Sequence, residues 1–254
     1  VFNIDAKILK REEPIVQELA NEYLAEQGIT ILNNVTLNSV SNDGKKPVIT
    51  ANNQNYTFDA VLYATGRRPN TTNIGLENTD IITNERGAIV VNDTCESSVS
   101  GVYAVGDVNG GPQFTYISLD DFRIVFGALT GNGQYTLKDR KNIPYTTFLT
   151  PPLARVGLTE EDAINQGYTV KTKEMLVATM PRAHVNDYLK GAFKIVVDAE
   201  NNLILGATLY SQGAEELINL IKMAMDNNIP YTYFKNQIFT HPTMAENLND
   251  LCNF

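Results

Sequence analysis

The sequence has little of what marks several large classes of protein. Its 254 residues include two cysteines, Cys95 and Cys252, with no CxxC or CxxxxC spacing, which argues against a disulfide framework and a cysteine metal site. No apolar run approaches the ~20 residues that a membrane-spanning helix needs. A reducing, cytoplasmic location is the simplest interpretation of these absences.

The sequence also lacks an excess of positive charge and any N-terminal targeting signal. The net charge of −9 argues against a nucleic-acid footprint and against binding to an anionic membrane surface. The chain begins with Val1 instead of methionine and shows no targeting signal. We therefore expect it to be the C-terminal portion of a longer protein.

What is present indicates alternating helices and strands in the first part of the chain. Residues 12–28 have apolar side chains at helical spacing. Short apolar runs typical of strands occupy residues 1–4, 29–32, 47–50, 56–58, 59–66, 87–92 and 101–107. This alternation predicts a doubly wound α/β sheet, in which ligands bind at the carboxyl ends of strands. No GxGxxG loop occurs, so the first βα unit of a dinucleotide fold would lie upstream of Val1.

The last third of the sequence indicates an α+β arrangement. Residues 191–197 and 203–211 predict a hairpin, and residues 213–227 predict an amphipathic helix. An antiparallel sheet covered by helices is the expected result. His184, one of two histidines, is expected to be a solvated loop residue.

Two predicted strands end at candidate binding turns. After 59–66, Gly66 would let the backbone approach a ligand, and Arg67 or Arg68 could pair with a phosphate or carboxylate. A solvated basic turn explains these residues equally well. After 101–107, Asp107 could accept hydrogen bonds from sugar hydroxyls, or it could simply cap a helix.

The C-terminal segment contains the candidate catalytic pair. His241 precedes a proline, and residues 243–251 predict a helix. Glu246 lies early in that helix, close enough to fold back on the imidazole. A carboxylate that holds one ring nitrogen raises the basicity of the other, as a general acid/base requires. The alternative is a histidine that only caps or packs against the helix.

Three segments, in this order, resemble one family. They are Ala64-Thr-Gly-Arg-Arg-Pro-Asn70, Gly101-Val-Tyr-Ala-Val-Gly-Asp-Val108 and His241-Pro-Thr-Met-Ala-Glu246. They resemble the flavoprotein pyridine nucleotide–disulfide oxidoreductases, which include glutathione reductase, dihydrolipoyl dehydrogenase and mercuric reductase. Residues 106–122 further resemble the branch of hypothiocyanite and reactive-chlorine-response reductases.

The resemblance implies a fold and its domains. Residues 1–68 would be the latter part of the NAD(P)-binding domain, and residues 69–140 the returning segment of the FAD-binding domain. Both would belong to partial doubly wound α/β domains. Residues 141–254 would form an α+β dimerisation domain with an antiparallel sheet, through which a homodimer assembles.

The resemblance also implies two cofactors, FAD and NAD(P)H. The residues that would bind them are Gly66, Arg67, Gly106, Asp107, Gln113, Phe114, Thr115, Asn3 and Lys7. Asp107 would bind the ribityl chain of FAD, and residues 113–115 would place a helix N-terminus near the flavin's pyrimidine edge. Asn3 stands where an acidic residue would favour NADH, and Lys7 follows it, which favours NADPH.

In the family, hydride passes from NAD(P)H to FAD and then to a Cys-x4-Cys disulfide, whose reduced form attacks the substrate. By resemblance, His241 would exchange protons with a thiol of the partner subunit, and Glu246 would orient the imidazole. The chain lacks the cysteine pair and both glycine-rich loops. We therefore expect it to be inactive alone.

Three functions stay open from the sequence. In the first, the chain is part of an enzyme that reduces a small oxidant such as hypothiocyanite. The second is part of a mercuric-ion or other metal reductase, which Pro181-Arg-Ala183 suggests. The third is a dimerisation module without flavin.

Overall fold

The computed structural model describes residues 1–42 and 44–254. The helices are α1 (Pro14–Glu26), α2 (Thr115–Thr130), α3 (Glu160–Asn165), α4 (Pro181–Val185), α5 (Ala214–Asp226), α6 (Tyr231–Asn236) and α7 (Asn247–Leu251). The strands are β1 (Leu37–Asn42), β2 (Pro47–Ala51), β3 (Gln54–Thr57), β4 (Tyr145–Thr147), β5 (Leu153–Gly157), β6 (Val170–Leu176), β7 (Ala192–Asp198) and β8 (Ile204–Tyr210). Single 3-10 turns cover Leu76–Asn78, Gly106–Asn109, Leu137–Asp139 and Val177–Thr179.

The chain divides into two compact units. Unit 1 comprises Val1–Val61 and Asn142–Phe254, and unit 2 comprises Leu62–Lys141. The three family domains expected at 1–68, 69–140 and 141–254 stay a prediction. None of the described helices is long and apolar enough to cross a lipid bilayer.

Unit 1 is built on a five-stranded antiparallel sheet in the order β4-β5-β8-β7-β6. Every residue of β7 is buried, as expected for a central strand covered on both faces. The predicted hairpin is confirmed, because β7 pairs with β8 from Ala192↔Tyr210 to Val197↔Ile204. The amphipathic helix is confirmed as α5, whose buried residues are Ala214, Leu217, Ile218, Ile221 and Ala224.

Helix α1 packs against the same sheet through both apolar and charged contacts. The Tyr23 ring lies 5.8 Å from the Tyr210 ring, and its hydroxyl accepts a hydrogen bond from the Gly191 amide at 2.8 Å. Val16 and Ala20 complete the buried face of the helix. Residues 1–61 and 142–254 therefore share one packed structure, although they are far apart in the sequence.

Lys194 on β7 carries the charged part of this contact. Its Nζ lies 2.9 Å from Glu13, 2.7 Å from Glu160 and 3.0 Å from Glu174, and its side chain is 6% exposed. Burial alone would lower the pKa of Lys194, but hydrogen bonds to the three carboxylates raise it above its ordinary value. The lysine is therefore a charged link between the start of α1, helix α3 and strand β6.

A second, smaller sheet of unit 1 has the order β1-β2-β3 and is antiparallel. Its β2 and β3 confirm the strands predicted at 47–50 and 56–58. The strands predicted at 1–4 and 29–32 are wrong, because they reduce to one parallel bridge, Phe2↔Leu32. Phe2 instead packs on the Tyr56 ring at 5.1 Å.

Unit 2 contains α2 and three 3-10 turns, but no extended strand among its residues, all of which the structure describes. The strands predicted at 59–66, 87–92 and 101–107 are therefore wrong. Residues in the latter two ranges form only isolated bridges, Thr83↔Ile89, Val91↔Ser97 and Glu96↔Tyr103. An apolar run becomes a strand only when a partner supplies ladder hydrogen bonds, and Leu62 is instead 90% exposed.

Candidate functional site

His241 and Glu246 form a hydrogen-bonded pair in unit 1. The distance from His241 Nδ1 to Glu246 Oε2 is 2.7 Å. The other carboxylate oxygen accepts a hydrogen bond from the Thr243 amide at 3.0 Å. The hydrogen bond with His241, aided by the Thr243 amide, lowers the pKa of Glu246 below its ordinary value. The imidazole is 68% exposed, so a reacting group outside this chain can reach its ring.

The helix predicted over 243–251 starts later than expected. Helix α7 begins at Asn247, and residues 243–246 form a turn instead. The Thr243 hydroxyl donates to the Thr240 carbonyl at 2.7 Å and accepts from the Glu246 amide at 3.3 Å. Together with the Thr243 amide on the Glu246 carboxylate, this last hydrogen bond forms the reciprocal pattern of a capping box, which closes the turn ahead of α7. The turn is what brings the Glu246 carboxylate back to His241.

Helix α7, which follows the pair, is anchored by contacts that the sequence did not predict. Leu248 and Leu251 are fully buried in the core of unit 1. The ammonium of Lys173 on β6 donates to the carbonyls of Asp250 and Asn253, each at 2.7 Å. A cation at these carbonyls stabilises a helix C-terminus. No local sequence signal links Lys173 to a segment so distant in the chain.

In unit 2 the structure brings together three of the predicted cofactor-binding residues. Asp107 lies in the turn Gly106–Asn109, and its side chain is 49% exposed. Arg67 Nη1 lies 3.8 Å from Asp107 Oδ2, and Arg67 Nη2 donates to the Gln113 carbonyl at 3.4 Å. An exposed cation and carboxylate therefore stand side by side.

Two predicted glycines have backbones that favour glycine. Gly66 has φ +118° and Gly106 has φ +73°. A Cβ on Gly106 would lie 2.7 Å from the Ser118 hydroxyl oxygen, so a side chain there would crowd α2 in addition to straining the positive φ. Helix α2 begins at Thr115 without a side-chain cap, and Phe114, just before it, stacks on Tyr116 with ring centroids 5.1 Å apart.

The predicted nucleotide-selecting residues lie in unit 1. The Asn3 amide nitrogen donates to the Asp5 carbonyl at 3.0 Å and to Asn33 Oδ1 at 2.8 Å. Because both amide hydrogens are engaged in the protein, its oxygen is the atom left to contact a ribose. Lys7 is exposed and lines a small cleft beside Asn33.

The remaining polar candidates are inert or peripheral. His184 lies in α4, not in the predicted loop, and its Nε2 is 2.8 Å from the Ala178 carbonyl. Burial raises the pKa of Cys95 to about 11 and that of Cys252 to about 12, so neither forms a thiolate near neutral pH. Among the residues described, no cluster of His, Cys, Asp or Glu could hold a metal ion.

Comparison with known proteins matches this arrangement to two parts of one family. Residues 1–121 match the pyridine nucleotide-disulphide oxidoreductase family, and residues 143–252 match the dimerisation domain of that family. The probable pyridine nucleotide-disulfide oxidoreductase RclA of Escherichia coli K12 is 42% identical over 243 residues, which are 96% of this chain and 55% of that protein.

A second relative and a solved structure agree. The mercuric reductase of Staphylococcus aureus is 34% identical, over 95% of this chain and 45% of that protein. The solved structure of the HOCl-induced flavoprotein disulfide reductase RclA from Escherichia coli has a TM-score of 0.94 at 41% identity, covering 99% of this chain and 58% of that one. The chain spans about half the length of these relatives. It belongs to the pyridine nucleotide-disulfide oxidoreductase family and includes the family's dimerisation domain.

Proposed function

We propose that this chain supplies part of an FAD- and NAD(P)H-dependent oxidoreductase that reduces a small oxidant through a redox disulfide. The observation that carries the proposal is the exposed His241–Glu246 pair, joined at 2.7 Å. Family membership and the dimerisation domain support it. The chain itself contains no Cys-x4-Cys pair, so the disulfide belongs to the whole oxidoreductase.

His241 is proposed to exchange a proton with a thiol of the partner subunit in a homodimer. A carboxylate on Nδ1 keeps the proton of the neutral ring on that nitrogen, which leaves Nε2 as the acceptor. When Nε2 takes a proton, the Glu246 carboxylate stabilises the imidazolium that results. The anchored helix α7 begins directly after Glu246 and steadies its carboxylate, which in turn orients the imidazole of His241.

The residues of unit 2 fit the polar portion of FAD. A half-exposed carboxylate at Asp107 can accept hydrogen bonds from ribityl hydroxyls, and the adjacent Arg67 can meet a phosphate. Gly66, Gly106, Gln113, Phe114 and Thr115 are the other residues we propose to be near the flavin. When bound, FAD supplies the acceptance of hydride from a nicotinamide and the reduction of a disulfide.

We propose a small chlorine-type or hypothiocyanite-like oxidant as the substrate. Support comes from the Escherichia coli relative, which is an HOCl-induced flavoprotein disulfide reductase. NADPH is proposed over NADH because Asn3 is not acidic and Lys7 is near it. A cytoplasmic location is proposed because both cysteines are free and buried, as in a reducing compartment.

A second candidate is the reduction of mercuric or another metal ion, which the mercuric reductase relative favours. The third is a dimerisation module without flavin, which the well-packed sheet of unit 1 favours. Flavin absorbance of the purified chain separates the dimerisation-module hypothesis from the others. A colourless dimer would support the module.

The test of the proposal uses the complete flavin-loaded oxidoreductase that contains this chain, with NADPH, because the chain alone lacks the redox cysteines. We expect His241→Gln to lower kcat for hypothiocyanite by about 10²–10⁴-fold, the usual contribution of a general acid/base. The matched control is His184→Gln, which replaces the other exposed histidine and should leave kcat unchanged. Equal rates for both variants would refute the role of His241, and turnover of mercuric ion alone would favour the metal reductase.

A further inference from the structure

The buried face of α2 contains one charged residue, Asp121. It lies between Ile117 and Ile124 on that face, and its exposed fraction is zero. Helical spacing calls for an apolar residue there. Because a carboxylate is strongly disfavoured in the interior without partners, the groups that contact it indicate what it does.

One oxygen of Asp121 contacts both ends of the turn Gly106–Asn109. Asp121 Oδ2 accepts a hydrogen bond from the Gly106 amide at 2.8 Å and another from the Asn109 side-chain amide at 2.9 Å. Asp107 lies between these two contacts in the chain. The carboxylate therefore holds the turn at both ends while the Asp107 side chain extends to the surface.

The other oxygen of Asp121 is paired with a cation. Asp121 Oδ1 contacts the guanidinium of Arg140, whose Nε donates to Asp120 Oδ2 at 2.7 Å. The Arg140 side chain is 10% exposed, so this pair is shielded from solvent. Arg140 compensates the buried charge and leaves Oδ2 to the turn.

Asn109 extends the network along the turn. Its side-chain nitrogen also donates to the Ala104 carbonyl at 3.3 Å, and its side-chain oxygen accepts from the Gly111 amide at 3.0 Å. The backbone on each side of Asp107 is thus tied, directly or through Asn109, to one buried carboxylate.

We infer that Asp121 is a positioning residue for flavin binding, acting through the turn that presents Asp107. The inference rests on the FAD site proposed above. A turn that is fixed before the ligand arrives spares the ligand the cost of ordering it, so Asp121 raises affinity without touching the flavin. Arg140 has the secondary role of keeping the buried carboxylate paired.

The experiment measures FAD affinity by fluorescence titration of the complete oxidoreductase that contains this chain, after its flavin has been removed, with flavin absorbance as a second readout. Asp121→Asn cannot satisfy both the turn and Arg140, because one of its two polar atoms is a donor. We expect its Kd for FAD to rise about 10- to 100-fold, as for one or two lost hydrogen bonds to a charged group. The control is Asp120→Asn, whose carboxylate contacts Arg140 but not the turn, and whose Kd should change less than about 2-fold.

A double substitution separates positioning from a general loss of structure. If Asp121 acts through Asp107, then Asp121→Asn should add less than about 2-fold to the Kd of Asp107→Asn. Full additivity in that background, or a wild-type Kd for Asp121→Asn alone, would overturn the inference. A wild-type Kd for Asp107→Asn would instead refute the proposed FAD site.

Should Asp121→Asn fold poorly, Asn109→Ala provides the second test. It removes the Asn109 side-chain hydrogen bonds to Asp121, Ala104 and Gly111, but leaves the Asp121 carboxylate paired with Arg140 and the Gly106 amide. Its Kd should rise in the same direction by a smaller factor, and an unchanged Kd would count against the inference.

Discussion

Apolar runs of similar length form different structures in the two units of this protein. Unit 1 buries a whole central strand, β7, and packs α5 and α7 on its sheet. Unit 2 has apolar runs of comparable length, yet they form single bridges, and Leu62 and Tyr63 are 90% and 65% exposed. The difference teaches that a strand depends on its neighbours as much as on its own residues.

The strongest test of this comparison is truncation of an apolar side chain in each unit. Phe193→Ala on β7 should lower the free energy of unfolding by about 3–5 kcal/mol, because it leaves a cavity in a closed core. Leu62→Ala in unit 2 should change it by less than about 0.5 kcal/mol, since that side chain already contacts solvent. Urea unfolding measures both, and equal losses would break the comparison.

The charged contact of unit 1 provides a second, smaller test. Lys194→Met should cost about 3 kcal/mol, because it leaves the Glu13 carboxylate buried without its cation. Its control is Lys190→Met, which removes a surface pair with Glu26 and should cost below about 1 kcal/mol. If the two variants unfold at the same urea concentration, the buried ion pairs of Lys194 stabilise the packing of α1 no more than a surface pair does.

The smallest expected effect concerns pH and the candidate site. The pKa of Glu246 is lowered in the folded protein from its ordinary value of 4.5. The pair with His241 therefore adds stability above that ordinary value, and this stability is lost as pH falls through the lowered pKa. Glu246→Gln should remove that part of the pH dependence, below about 1 kcal/mol for so exposed a pair. Unfolding free energies of both proteins across the acidic range measure it, and identical pH profiles would contradict it.

The parts of the fold that sequence predicts well are those with local signals. The hairpin of β7 and β8 follows from two apolar runs on either side of the polar turn at 198–202, and α5 follows from helical spacing; the structure has both. The candidate pair, His241 and Glu246, is also local, since five residues separate its members. Helix α7 starts later than the helical pattern predicts, and residues 243–246 form a turn that precedes it.

What sequence does not predict are contacts between distant residues. Lys173 reaches Asp250 and Asn253, and Lys194 reaches Glu13, without any spacing that marks them as partners. Asp121 is the instructive case, because its place in an apolar face already signals that it has a buried partner. Only the fold shows that this partner is the turn Gly106–Asn109.

The packing of α1 on the large sheet has a consequence for biosynthesis. Glu13 contacts Glu160, 147 residues later, and Tyr23 contacts Gly191, 168 residues later. A ribosome adds about 5–20 residues per second, so α1 emerges many seconds before its docking partner exists. During that interval its apolar face is available to chaperones, and folding of unit 1 is completed only when α7, the last helix of its core, has been translated.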